Sequence, residues 1–106
     1  MQSVFHPAYL ELHLGAASAC GDRNLLLFKG EGGELEIRPD ARTALTGLRH
    51  GEPAEGVLSA AMGRQTPPGE VSVAPLQALW RGQADDAYGE AAVIKTVAAV
   101  LWGLEK

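Results

Sequence analysis

The residues best suited to chemistry form a short segment rich in glycine and glutamate. It runs from Lys29 to Glu36 and reads Lys-Gly-Glu-Gly-Gly-Glu-Leu-Glu. Glycine lets the backbone approach a ligand closely, and Mg²⁺ accepts one or two carboxylates before water and phosphate oxygens complete its shell. The candidate ligand-binding glycines are Gly30, Gly32 and Gly33, and the candidate metal ligands are Glu36, Glu34 and Glu31. The alternative interpretation is a solvated turn whose glycines take positive φ and whose glutamates keep it soluble.

Histidine and cysteine offer weaker candidates for metal binding or nucleophilic catalysis. His6 and His13 are seven residues apart and lack the further ligands of a closed zinc site, so we expect His6 to cap a helix or to make a buried hydrogen bond. Cys20 is the single cysteine and cannot form an internal disulfide; we expect it to be buried as a small apolar residue. Trp80 and Trp102 lie in apolar helical stretches and are expected to anchor the core.

Length and composition favour one soluble domain. The chain has 106 residues, of which 46% are hydrophobic and 21% charged, close to a globular average. Nine Lys and Arg against thirteen Asp and Glu give a net charge of −4, which disfavours nucleic-acid binding. No apolar run approaches the roughly 20 residues that span a bilayer, and no secretion signal follows Met1. We therefore expect a cytoplasmic single domain, residues 1–106, that binds no membrane.

The residues before the glycine-rich segment predict a helix and then a buried strand. Pro7 suits the start of the helix and Gly21 its end. The helix would bury one apolar face, formed by Tyr9, Leu10, Leu14 and Ala17. Residues 24–29 are a short apolar run, typical of a strand buried on both faces. The glycine-rich segment follows directly, and in open α/β sheets ligands bind at the carboxyl ends of the strands.

Short strands and a long connection are expected after the glycine-rich segment. Residues 37–48 predict one or two short strands, and residues 50–53 predict a turn. Residues 56–69 have little periodicity and predict a long connection, on which something else would normally pack.

Two helices are expected at the end of the chain. Ser72 would cap a short helix that ends at Gly82, and Asp85 or Asp86 would cap a last helix that reaches Leu101. The fold class is thus α/β, a partial three-layer domain. Its order is helix, buried strand, glycine-rich loop, short strands and two C-terminal helices.

The last helix is apolar nearly all round. Such a helix belongs in the interior of a larger body or against a partner, because water would otherwise meet a contiguous apolar patch. The expected partner is either a missing N-terminal segment of the protein or a second copy, in a homo-oligomer formed through this helix.

Four motifs follow one another along the chain. They are residues 3–7 (Ser-Val-Phe-His-Pro), residues 29–36 (the glycine-rich segment), residues 79–82 (Leu-Trp-Arg-Gly) and residues 86–88 (Asp-Ala-Tyr). Together they resemble the C-terminal part of the anthranilate phosphoribosyltransferase family. The closer likeness is to its anthranilate phosphoribosyltransferase-like glycosyltransferases, which carry a Lys-Gly-Glu-Gly-Gly-Glu turn. The resemblance covers nearly all of the chain.

The resemblance implies a longer protein of which this chain is the last third. The helical N-terminal domain would be absent, and the chain would belong to a nucleoside phosphorylase/phosphoribosyltransferase α/β domain that binds phosphoribosyl pyrophosphate with Mg²⁺. Such enzymes transfer the phosphoribosyl group to an amine acceptor, as the anthranilate enzymes do in tryptophan biosynthesis. The family's phosphate loop and aromatic-acid site would lie upstream, so we expect this chain alone to be inactive. A non-catalytic nucleic-acid-binding or partner-binding module of the same fold is the alternative.

The resemblance also identifies two places where this chain departs from the family. The carboxylate pair that helps to bind magnesium falls on Leu35 and Glu36, so only Glu36 carries over. The family's Asn-Ala-Ala in the final helix falls near Lys95, Thr96 and Val97.

Overall fold

Four strands form one mixed sheet in the computed structural model, which describes residues 1–4, 6–30, 37–65 and 72–104. Their order in the sheet is their order in the chain: β1 (Gln2–Val4), β2 (Leu25–Lys29), β3 (Thr43–Arg49) and β4 (Glu52–Leu58). β1 and β2 are parallel, whereas β3 runs antiparallel to β2 and β4. The helices in the described ranges are α1 (Ala8–Ala19), α2 (Ala74–Trp80) and α3 (Ala87–Gly103).

α1 and α3 cover opposite faces of the sheet. Successive side chains of a strand point to opposite faces. Leu26 and Phe28 of β2 form the core cluster with Ala99 of α3, so Leu27 points to the other face, where α1 contacts the sheet. The core cluster comprises Leu26, Phe28, Ile37, Leu45 and Ala99, with Leu58 and Trp102 packed against it. The helix–sheet–helix layering and the buried strand confirm the predicted α/β class.

α1 connects the parallel strands β1 and β2. Gly21 follows the helix at φ 81°, a left-handed conformation that favours glycine, and this confirms the predicted stop. The predicted buried face is confirmed in part: Ala17 is buried and Leu10 and Leu14 are partly buried, whereas Tyr9 is half exposed. β1 was not predicted, since its three residues are too few to show an alternating pattern.

β3 and β4 form a hairpin with a two-residue turn. His50 and Gly51 have φ of 55° and 84°, as a type I′ turn requires. The turn predicted over residues 50–53 is therefore too long, and the connection predicted from residue 56 begins only after Leu58. The sequence does not predict β4 because proline and glycine, at positions 53 and 56, are unfavourable inside most strands. Both are tolerated here because β4 is an edge strand.

Trp102 of α3 lies over β4 and confirms one of the two predicted aromatic anchors. A Cβ on Gly56 would lie 2.6 Å from the Trp102 Nε1 atom, so the indole occupies the space that glycine leaves open. The guanidinium of Arg49 stacks on the indole, 5.1 Å from the ring centroid.

α2 contributes no buried residue to the fold. The expectation that Trp80 anchors the core is wrong, because its side chain is 89% exposed. The helix begins after Val73 without a side-chain cap, so the predicted capping by Ser72 is also wrong, whereas Gly82 follows the helix at φ 72° as expected. The chain is also less compact than a typical domain of its length, since its radius of gyration is 15.7 Å and the typical value is about 13 Å.

α3 begins at the predicted cap. The Oδ1 atom of Asp86 accepts a hydrogen bond of 2.9 Å from the N–H of Gly89. Near the other end of the helix, Asn24 donates to the carbonyl oxygen of Gly103 at 3.0 Å. None of the helices in the described ranges has the length and apolar character needed to cross a membrane.

Candidate functional site

The carboxyl ends of β1 and β2 lie side by side at one edge of the sheet. The register of these parallel strands pairs Val4 with Lys29, so His6 follows β1 at the edge where Gly30 follows β2. Because β3 is antiparallel to β2, its first residue, Thr43, also lies at this edge. We call this region, with residues 38–42 that lead into β3, the carboxyl edge. It is the edge at which the sequence predicts a ligand.

His6 caps the first turn of α1. Its Nδ1 atom accepts a hydrogen bond of 3.1 Å from the N–H of Ala8, and its carbonyl oxygen accepts one of 3.0 Å from the N–H of Tyr9. The imidazole also meets the Tyr9 ring edge to face, with centroids 6.0 Å apart. A capping role for His6 is therefore confirmed. A ring nitrogen that accepts this hydrogen bond is not free to bind a metal.

The remaining histidine and cysteine candidates do not form a site. The Nδ1 atom of His13 lies 2.9 Å from the Oε1 atom of Gln2. Cys20 is exposed, so its predicted burial is wrong; it follows the last turn of α1 as the C-cap residue. Within the described ranges, no group of three or more His, Cys, Asp or Glu residues is arranged to hold a metal ion.

The structure describes the two flanks of the glycine-rich segment. Gly30 is buried next to the exposed Lys29. The other candidates, Glu31, Gly32, Gly33, Glu34 and Glu36, lie outside the described residues, and their roles stay predictions. On the far side, the N–H of the buried Ile37 donates to Thr96 Oγ1 at 3.1 Å, and this hydroxyl donates to the carbonyl oxygen of Ala92 at 2.8 Å.

The carboxylate of Asp40 accepts hydrogen bonds from three parts of the chain. Arg38 binds it in a bidentate pair, Nε to Oδ1 at 3.0 Å and Nη2 to Oδ2 at 2.8 Å. The N–H of Gln65 donates to Oδ2 at 2.9 Å, and the Tyr88 hydroxyl lies 3.4 Å from Oδ1. The Asp40 side chain has 0% exposure. One buried carboxylate thus links the segment before β3, the chain after β4 and the first turn of α3.

Lys95, which lies further along α3 than Tyr88, binds the segment before β3. The residue is 6% exposed, and its Nζ atom donates to the carbonyl oxygens of Arg38, at 3.0 Å, and of Ala41. Thr96 beside it holds Ile37. Lys95 and Thr96, two of the three positions at which the chain departs from the family's Asn-Ala-Ala, therefore bind the residues that follow the glycine-rich segment.

These contacts shift the pKa values of Asp40, Arg38 and Lys95, which we call the Asp40 cluster. The hydrogen bonds from Arg38 and from the Gln65 N–H hold the pKa of Asp40 well below its usual range, and Asp40 raises the pKa of Arg38 in return. Burial lowers the pKa of Lys95, and the negative charge of Asp40 opposes that shift. Asp40 is therefore ionised at neutral pH.

The Asp40 cluster holds the backbone around residues 38–41 in position and is not suited to catalysis. Asp40 has no exposed surface, both of its oxygens accept hydrogen bonds, and its low pKa makes it a poor general base. Lys95 is buried and its Nζ atom donates to two carbonyl groups, so it is not accessible to a substrate. Among the described residues of the carboxyl edge, Lys29 and Arg42 carry exposed, positively charged side chains, and Lys29 directly adjoins the glycine-rich segment in sequence.

The sequence analysis does not identify Asp40, and it names Tyr88 and Lys95 only through the resemblance, without predicting their contacts with residues 38–41. One signal was present, since Lys95 is the only charged residue from Ala91 to Gly103 in a helix that is otherwise apolar. A lone lysine on such a helix needs buried acceptors or a path to solvent. The link from Asp40 to Gln65 and Tyr88 had no local signal, because the partners are 25 and 48 residues away.

Comparison with known proteins does not identify a family for this chain. Scans against protein-family models and against curated proteins found no match to this chain.

Proposed function

We propose that this chain is the C-terminal portion of an anthranilate phosphoribosyltransferase-like glycosyltransferase, and that its carboxyl edge contributes to the site for phosphoribosyl pyrophosphate and Mg²⁺. The supporting observation is that three motifs of that resemblance meet at one edge of the sheet. His6 belongs to the first motif and Lys29 to the second. Tyr88 belongs to the last, and its hydroxyl faces Asp40.

Mg²⁺ would be held by the glutamates of the glycine-rich segment. Glu36 is the first choice, with Glu34 and Glu31 as further candidates, and phosphate oxygens and water would complete the shell. The backbone of Gly30, Gly32 and Gly33 would allow close approach of the diphosphate. Lys29 adds a positive charge at the same edge, and Thr96 and Lys95 fix the chain where the segment ends.

In the proposed reaction, an amine acceptor attacks the anomeric carbon of the ribose and the bond to pyrophosphate breaks. Positive charge would develop on the sugar ring, the attacking amine would lose a proton to water, and Mg²⁺ held by Glu36 would supply the positive charge that stabilises the departing pyrophosphate. This chain would orient the leaving group, and an N-terminal segment would supply the remaining phosphate donors and the acceptor site. The chain alone therefore has no transferase activity, and formation of product from it with any amine acceptor would refute this statement.

A partner-binding module of the same fold, without catalysis, is the second candidate. The exposed apolar side of α3 favours it, since this surface has no cover within the described residues. Nucleic acid is the less favoured partner because the net charge is −4. Salt-dependent binding to single-stranded DNA would favour this candidate over the transferase. For either candidate we place the protein in the cytoplasm.

Calorimetric titration of the chain with phosphoribosyl pyrophosphate tests the proposal. We expect weak binding that requires Mg²⁺ and that Glu36→Gln weakens about tenfold, or about 1.4 kcal/mol. Glu11→Gln is the matched control, because Glu11 is an exposed carboxylate on α1. Binding that is the same without Mg²⁺, or that is the same in both variants, would contradict the proposed site.

A further inference from the structure

Arg38 is the partly exposed member of the Asp40 cluster. Its side chain is 25% exposed, whereas the Asp40 side chain has no exposed surface and Lys95 is 6% exposed. Arg38 belongs to the segment that leads into β3, so it lies at the carboxyl edge. Ligands of open α/β sheets bind outside this end of the strands. The guanidinium of Arg38 is therefore placed where a ligand from solution reaches it.

The Asp40 cluster contains two basic side chains and one carboxylate. Asp40 supplies a single negative charge, and it faces the basic groups of Arg38 and Lys95. Two further cations, Lys29 at the end of β2 and Arg42 before β3, are exposed at the same edge. Clustered charge of one sign attracts ligands of the opposite sign. Since Lys95 is buried, an anion meets this positive charge at the exposed part of Arg38.

Asp40 holds the guanidinium of Arg38 in one orientation. The Nε and Nη2 atoms donate to different oxygens of the carboxylate, at 3.0 Å and 2.8 Å, so the planar group cannot turn without breaking both bonds. Asp40 is itself fixed by the N–H of Gln65 at 2.9 Å. An arginine that is ordered before the ligand arrives loses little side-chain entropy when it binds.

We infer that Arg38, oriented by Asp40, binds a phosphate group of a small phosphorylated ligand at the carboxyl edge. A guanidinium matches the geometry of phosphate oxygens and stays charged at neutral pH. The net charge of −4 opposes a long polyanion more than a small diphosphate, because a polyanion also meets the acidic parts of the surface. The identity of the ligand rests on the proposed function, in which Arg38 would hold the pyrophosphate group of phosphoribosyl pyrophosphate.

Titration with inorganic pyrophosphate in the absence of Mg²⁺ tests Arg38 separately from the glutamates. We expect Arg38→Lys to weaken binding about tenfold, because lysine keeps the positive charge but not the planar group that Asp40 orients. Arg23→Lys is the matched control, since Arg23 is an exposed arginine that precedes β2, at the opposite edge of the sheet. Equal affinity of the two variants would overturn the inference.

A double variant separates lost binding from lost folding. Arg38→Gln combined with Asp40→Asn replaces the ion pair by two neutral amides and leaves no buried carboxylate without its partner. We expect this variant to show the circular dichroism of a folded chain and to bind no pyrophosphate. A folded double variant that binds pyrophosphate as tightly as Arg23→Lys would also overturn the inference.

The outcomes separate the role of Arg38 from the proposed function. Without Mg²⁺, we expect Glu36→Gln to bind pyrophosphate as wild type does. If pyrophosphate binding requires Arg38 but phosphoribosyl pyrophosphate shows no magnesium-dependent binding, the proposed function is contradicted and the role of Arg38 stands. If magnesium-dependent binding of phosphoribosyl pyrophosphate is unchanged in both Arg38 variants, the role of Arg38 is overturned and the proposed function stands. Tighter binding of single-stranded DNA than of pyrophosphate, lost in the same variants, would assign Arg38 to nucleic acid and overturn the small ligand.

Discussion

The hydroxyl of Thr96 accepts a hydrogen bond of 3.1 Å from the N–H of Ile37, 59 residues earlier in the chain. Ile37 is the first described residue after the glycine-rich segment and is 1% exposed, so this N–H has no access to water. The bond joins the end of the candidate ligand-binding segment to the middle of α3. Together with the contacts of Lys95, it fixes where that segment returns to the fold.

Thr96→Val is expected to lower the free energy of unfolding by about 1–3 kcal/mol, because it leaves the buried N–H of Ile37 without an acceptor. Valine has nearly the same shape, so packing changes little. Urea denaturation measures the loss. Thr46→Val, at a half-buried position in β3, is the control, and an equal effect of both substitutions would argue against the Ile37 contact as the cause.

Asp86→Ala is expected to destabilise the protein by about 1 kcal/mol, since the N-cap side chain that binds the Gly89 N–H is removed. Asp85→Ala removes a neighbouring exposed carboxylate and should change stability much less. Thermal denaturation of both variants makes the comparison. Equal losses would indicate a general charge effect at the start of α3 instead of a cap.

Gly56→Ala is expected to cost about 1–3 kcal/mol, because the new methyl group would overlap the indole of Trp102 and force it to move. The substitution should also disturb the stacking of Arg49 on that ring. A Cβ on Gly63 meets no atom within 4 Å, so Gly63→Ala is the control. Tryptophan fluorescence during urea unfolding reports both effects, and a Gly56→Ala variant as stable as Gly63→Ala would contradict the packing described.

Acid is expected to destabilise the protein through Asp40. Its pKa is lowered in the folded state, so its contribution to stability is complete above the unfolded-state value of about 3.9 and is lost as the pH falls below it. Asp40→Asn should therefore lower the melting temperature by several degrees at neutral pH, with the difference from wild type shrinking below about pH 4. Asp22→Asn changes an exposed carboxylate and should keep the wild-type profile. Parallel melting profiles for wild type and Asp40→Asn would count against this account.

Local patterns predicted the elements that depend on local chemistry. The apolar run that forms β2, the glycine after α1 and the Asp86 cap of α3 each act within a few residues, and all three are found where expected. β1 and β4 were not predicted, because the first is too short for a pattern and the second contains Pro53 and Gly56. The strand conformation of β1 comes from pairing with β2, which is distant in sequence, whereas β4 is held by pairing with β3 across the two-residue turn.

At the candidate site, too, the sequence predicts what depends on neighbouring residues and does not predict contacts between distant ones. The sequence predicts that the glycine-rich segment follows a buried strand, and Gly30 does follow β2 at the carboxyl edge. The anchoring of the adjoining residues by Asp40 and Lys95 was not predicted, because it requires the folded positions of three separated segments. Burial of Cys20 was predicted from its residue type and burial of Trp80 from the apolar helical stretch around it. Both predictions are wrong, since these residues lie where α1 and α2 end and are exposed.

The central claim is that this chain forms the C-terminal part of a phosphoribosyltransferase-like protein. Sequencing the DNA directly upstream of the Met1 codon tests it most directly. The account predicts an open in-frame extension that encodes a glycine-rich phosphate-binding loop and a helical N-terminal domain. A stop codon close upstream, with a ribosome-binding site before Met1, would contradict the claim and favour the partner-binding module.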